Sequence, residues 1–186
     1  MRRTIAKTVM AGTLVCGLAA CGDNADNGAT ATVELSDPVS VTMRPVLGCA
    51  PDGVASGDPY DPAAMAVIVT PAADGTGSEA CNVGPTAVTG TAFAGDAVAA
   101  QTDSGWVVNV TIRDGADGLD LFNVVAAQCF TTSAACPTGQ MALVVDGRLV
   151  MKATVMSAEF ATSLQISGAY DQTQAEALAE VMNLAA

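Results

Sequence analysis

The sequence predicts an α+β domain, a mostly antiparallel sheet with two helices packed on one face. Three observations carry this. Residues 106–112 alternate apolar with polar or second-face positions, and 141–155 form two apolar runs around a two-residue turn, both marks of antiparallel strands. Leu119–Phe130 and Asp171–Met182 instead place apolar residues at helical spacing. The clearest elements run β-α-β-β-β-α, an order that segregates helices to one side of an antiparallel sheet.

The chain begins with an export signal. Arg2, Arg3 and Lys7 precede Thr8–Ala20, an apolar stretch too short to cross a hydrocarbon core of about 30 Å. The stretch ends in Leu18-Ala19-Ala20-Cys21, the pattern of a bacterial lipobox. Residues 1–20 are therefore expected to be removed and Cys21 to carry lipid, anchoring the protein to the outer face of the cell membrane. Cleavage takes away three basic residues and no acid. Arg44, Arg113, Arg148 and Lys152 then face 19 acids, four against nineteen, for a net side-chain charge of −15. An anionic membrane repels such a body, so the anchor must be covalent lipid. Residues 21–32, small, polar and acidic, are expected to form a flexible tether to a domain at 33–186.

Pro38 and Pro45 disfavour a helix in 33–46, which is expected to be extended. The proline- and glycine-rich segment 48–62 is expected to be a loop, Ala66–Thr70 a short strand, and 71–77 a turn. Trp106, Val108, Val110 and Ile112 define the buried face of the next strand. The helix at 119–130 places Leu121, Phe122, Val125, Ala126 and Cys129 together, and Asp117 or Asp120 is expected to cap it. Met141–Val145 and Arg148–Val155 are expected to pair around Asp146-Gly147, a favoured hairpin turn. Thr162–Ser167 is a further strand. Asp171 and Gln174 stand at capping-box spacing before the last helix, whose buried stripe is Ala175, Leu178, Ala179 and Met182.

Composition narrows function. Hydrophobic residues make up 51% of the chain and charged ones 14%, enough to build a core. The acidic balance excludes a nucleic-acid binder. The absence of histidine removes Ser-His-Asp and Cys-His catalysis and the commonest zinc ligand. Ser104, Ser157 and Ser167 lack a nucleophile-elbow context. Asp114, Asp117 and Asp120 are spaced by three, unlike the alternating ligands of an EF-hand loop. No catalytic, cofactor or metal residues are expected.

Beyond Cys16 in the signal and Cys21, four cysteines remain, an even number in an exported chain, which implies two disulfides and no metal site. Three connectivities are possible. Cys129–Cys136 with Cys49–Cys81 is favoured because only six residues separate the first pair. Chain entropy gives about 2.5 kcal/mol for the short loop and about 3.7 kcal/mol for the long one.

Five segments then stand in an ordered series: Gly84–Gly90 (GPTAVTG), Gly105–Thr111 (GWVVNVT), Met141–Gly147 (MALVVDG), Gln165–Tyr170 (QISGAY) and Ala175–Ala179 (AEALA). The series resembles the head subdomain of the first periplasmic domain of SecD, the translocase accessory subunit. Arg44-Pro45-Val46 resembles the segment that precedes that head, so residues 40–183 are covered. SecD usually carries Ala-Pro after the hairpin turn, where this chain has Lys152-Ala153-Thr154, and the four cysteines are departures as well. The resemblance implies a fold, a strand-to-helix turn around Asp114–Asp120, and contact with exported polypeptide or translocase components. The expected function is thus a non-catalytic, lipid-anchored module that binds polypeptide or another envelope protein, through an exposed strand edge. The alternative is a small-molecule-binding lipoprotein serving a transporter or sensor, which requires an apolar pocket. An enzyme using carboxylates alone would require two acids facing each other in a cleft.

Overall fold

A computed structural model describes residues 38–71 and 77–186, which form a single domain. The expected signal peptide, Cys21 and the expected tether lie outside the described residues. The strands are β1 (Val41–Pro51), β2 (Ala66–Pro71), β3 (Ser78–Val83), β4 (Val88–Thr89), β5 (Val98–Thr102), β6 (Gly105–Thr111), β7 (Gln140–Val145), β8 (Arg148–Thr154) and β9 (Ser163–Tyr170). The α-helices are α1 (Leu119–Phe130) and α2 (Gln172–Leu184).

Every strand pairing is antiparallel, as expected, but the strands divide into two sheets rather than one. The larger has the order β2-β3-β1-β7-β8, with β4 also paired to β1. The smaller is β5-β6-β9. The segment expected to be a loop from residue 48 is strand as far as Pro51, because β1 continues past an irregularity between Val46 and Gly48 to pair with β3. Its first half pairs with β7 on one side and β4 on the other.

The larger sheet curls until β2 and β8, at opposite ends of its order, touch. Val46, Ala66, Ile68, Val83, Ala142 and Val144 meet inside the curl as a core, with Leu149 against them. On β7 the intervening Met141 and Leu143 are also buried, so the strand is covered on both faces. That explains why its sequence is a continuous apolar run rather than an alternation. At its end Asp146 and Gly147 take positive φ values of 45° and 74° and close the hairpin as expected. Asp146 also ties down the start of the domain. Its Oδ1 accepts from Ser40 N at 2.8 Å, and its own N–H donates to Ser40 O at 2.8 Å.

α2 packs on β5, β6 and β9. Its capping box forms as expected, Asp171 Oδ1 accepting from Gln174 N and Gln174 Oε1 from Asp171 N. Its stripe buries Ala175, Leu178, Ala179 and Met182, and Val181 joins them. Val108 and Val110 of β6, and Ile112 just beyond it, are buried as expected. Val107 is buried too, and Trp106 is only half-buried.

α1 differs in two details. Leu121 is exposed rather than part of the buried face. Neither Asp117 nor Asp120 caps it by side chain, because Gly118 occupies the cap position. Space dictates this: a Cβ on Gly118 would overlap the carbonyl oxygen of Arg113, which accepts from Leu119 N at 2.8 Å. Gly118→Ala must force this turn open. It is expected to cost about 2 kcal/mol, the scale of overpacking, measured as a lower urea midpoint.

Candidate functional site

The outer face of the curled sheet and the inner face of β9 enclose a cleft of about 280 Å³. Register builds its floor. Met43 of β1 lies opposite Leu143 of β7, which lies opposite Met151 of β8, so three apolar side chains form one cross-strand row. Met141, two residues along β7, extends the same face. Leu164 and Ile166 supply the facing wall from β9.

One end is closed by aromatic rings. Phe122 of α1 and Phe160 meet edge to face, centroids 5.4 Å apart at 84°. Phe160 belongs to the link between β8 and β9, and α1 fixes it there. Asn123 Nδ2 donates to Phe160 O at 3.2 Å, while Phe160 N donates to Asn123 Oδ1 at 2.9 Å. On the same link Met156 stands at the rim, 78% exposed. Met151 is held from behind by the Tyr170 hydroxyl, 3.0 Å from its sulfur. Burial pushes that phenol above the ordinary tyrosine value, so it stays protonated and able to donate.

The lining thus combines four methionines and two phenylalanines with polar groups limited to Thr154, Gln165 and Ser167, and it carries no charged side chain among the described residues. Methionine is unbranched and polarizable, so such a wall adapts to apolar guests of different shape. It offers no group able to act as a general acid or base at neutral pH.

A shallower groove of about 470 Å³ lies between Ala97–Ala99 and α2. Glu176 and Glu180 line it from a single helix, side by side rather than face to face, and Glu176 accepts from Gln172 Nε2. Among the described residues that line the two concavities, Glu176 and Glu180 are the acidic ones. Asp114 and Asp117 are exposed turn residues, and Asp120 lies in the first turn of α1.

The cysteines pair as Cys49–Cys81, across β1 and β3, and Cys129–Cys136, from α1 to the following turn.

Composition gave no hint of Arg44. It is fully buried on β1, sharing a face with Val46 at the mouth of the curled core. Nη1 donates to Ala64 O at 3.0 Å and Gly84 O at 3.4 Å; Nη2 donates to Pro59 O at 3.0 Å and Asp61 O at 2.9 Å. Burial pulls its pKa down, and Asp61 and Asp58 pull it back up. This one side chain pins the 58–64 loop to the sheet that forms the cleft floor. Its advance signals are a lone arginine between Met43 and Pro45 in a largely apolar strand and its place in the Arg44-Pro45-Val46 segment that resembles SecD.

The SecD resemblance carried by the five segments has a structural counterpart. The crystal structure of SecDF in its super-membrane-facing form superposes with a TM-score of 0.50 at 19% identity, over 80% of this chain. The fold is SecDF-like. A second SecDF structure, described as a membrane component that enhances protein export, gives 0.49 at 19% identity over 80% of this chain. The match spans 19% of the first SecDF chain, so it concerns a part of SecDF, consistent with a SecD-head-like domain. No family model matches the sequence, and no curated protein matches it. Among the described residues of the SecDF-like domain, no helix is long and apolar enough to cross a membrane.

Proposed function

We propose that the mature protein is a lipid-anchored envelope module that holds apolar segments of extended polypeptide without catalysing a reaction, in association with protein export. The observation that carries this reading is the Met43–Leu143–Met151 row flanked by Met141 and the Phe122–Phe160 pair. An unfolded chain presents apolar side chains of every shape, and a methionine-rich wall repacks around them. The acidic body adds attraction for basic stretches of such a chain. Lipid on Cys21, as the lipobox pattern implies, would hold the domain where exported polypeptide emerges, and the SecDF-like fold supports the link to export.

In-cell crosslinking tests it. A photoreactive residue at position 156, on the cleft rim, is expected to capture exported polypeptide or a translocase component. One at exposed Val54 is not. The same membrane-purified protein, weighed intact, is expected to carry acyl mass on Cys21. Recovery of neither client nor translocase component at position 156 contradicts the proposal.

A further inference from the structure

The two disulfides sit in opposite surroundings. Cys129 and Cys136 are both fully buried, and the electronegative Gln140 carbonyl oxygen lies 3.9 Å from the first sulfur and 3.3 Å from the second. Cys49 is exposed, while Cys81, directly opposite it across β1 and β3, is fully buried. An ion pair attends this disulfide, with the ammonium against the sulfurs: Lys152 Nζ lies 3.7 Å from Cys49 Sγ and 4.0 Å from Cys81 Sγ, and a Glu79 carboxylate oxygen lies within 4.8 Å of both. Lys152 comes from β8, brought across by the curl of the sheet, and both carboxylate oxygens of Glu79 hold it at 2.6 Å.

Thiol exchange needs these features. The attacked sulfur must be reachable, and a neighbouring ammonium lowers the pKa of the departing thiol and speeds its release. We propose that Cys49–Cys81 is a thiol-exchange site for an envelope dithiol. One thiolate of the dithiol attacks Cys49 Sγ, breaking the Cys49–Cys81 bond and forming a mixed disulfide on Cys49. The bonding pair leaves with Cys81 as a thiolate beside Lys152. The second thiol of the dithiol, once deprotonated, attacks its own partner sulfur in the mixed disulfide and releases Cys49 as a thiolate. The dithiol is oxidised to a disulfide by two electrons, and its two protons end on Cys49 and Cys81. The site lies in the sheet that floors the cleft, so its redox state sets whether β1 and β3 are covalently tied there.

The test is graded reduction of the full mature protein with dithiothreitol, quenched by alkylation and read by peptide mass. Cys49–Cys81 is expected to open at least about tenfold faster than Cys129–Cys136, as access and a stabilised leaving thiolate require. With glutathione, the mixed disulfide is expected on Cys49. Lys152→Gln is expected to slow opening of Cys49–Cys81 about threefold or more and leave Cys129–Cys136 unchanged. Equal opening of the two disulfides in the unaltered protein, earlier opening of Cys129–Cys136, an adduct on Cys81, or a folded Lys152→Gln variant that opens at the original rate overturns the proposal. The contrast within the unaltered protein decides the matter even if that variant does not fold.

Discussion

Arg44→Ala is expected to lower the melting temperature of the mature protein by on the order of 10 °C, following from a loss of about 4 kcal/mol in a chain of this size. Four carbonyl groups, on Pro59, Asp61, Ala64 and Gly84, lose their donors at once. Each buried acceptor left unpaired costs about 1–3 kcal/mol, reduced where the exposed 58–63 loop reaches water. The void left by the guanidinium adds a cavity cost at the mouth of the core. Arg44→Lys keeps the charge but loses the two-nitrogen fork, and is expected to fall between the two proteins. Thermal unfolding by circular dichroism reads all three. A shift below 3 °C for Arg44→Ala, on the scale of an ordinary surface substitution, contradicts the role given to this side chain.

The second large effect concerns binding. Met156→Glu places a carboxylate on the rim of an uncharged cleft in an already acidic protein. Because Met156 is 78% exposed, the substitution leaves folding intact. An apolar segment entering past it would desolvate the new charge or forfeit contact with the rim. Either outcome weakens polypeptide binding by about tenfold, which corresponds to about 1.4 kcal/mol. Mild peroxide acts in the same direction, since the sulfoxide turns an apolar side chain polar.

What the sequence revealed, and what it hid, follows from the range of the interactions involved. The α2 capping box and the Asp146-Gly147 turn are local, four residues or fewer in span, and were visible as motifs. β3 was not: Ser78-Glu79-Ala80-Cys81-Asn82-Val83 has little β-branched character and owes its conformation to pairing with β1 and β2. β5, Val98-Ala99-Ala100-Gln101-Thr102, is alanine-rich and depends on β6 and α2 in the same way. The split into two sheets is a tertiary choice that alternation along single strands does not encode. The cap of α1 turned on the room beside Arg113, which no capping preference anticipates.

The candidate site was hidden for a related reason. Its walls come from β1, β7, β8, β9, α1 and the link carrying Met156 and Phe160, so no sequence window contains it. Each of these residues alone is an ordinary core residue type. Arg44 was legible as a basic residue, but its partners are backbone carbonyls, which no residue type marks. The cysteine pattern, by contrast, was readable because sequence separation bears directly on loop closure.

The central claim is that the methionine-lined cleft binds extended polypeptide. The most direct test is calorimetric titration of the mature protein with a reduced, carboxymethylated polypeptide that cannot fold, alongside a small apolar probe such as a medium-chain fatty acid. Saturable binding of the polypeptide is expected, weakened about tenfold by Met156→Glu, with the fatty acid binding far more weakly. Tight one-to-one binding of the fatty acid with no heat from the polypeptide would contradict the central claim and assign the cleft to a small molecule.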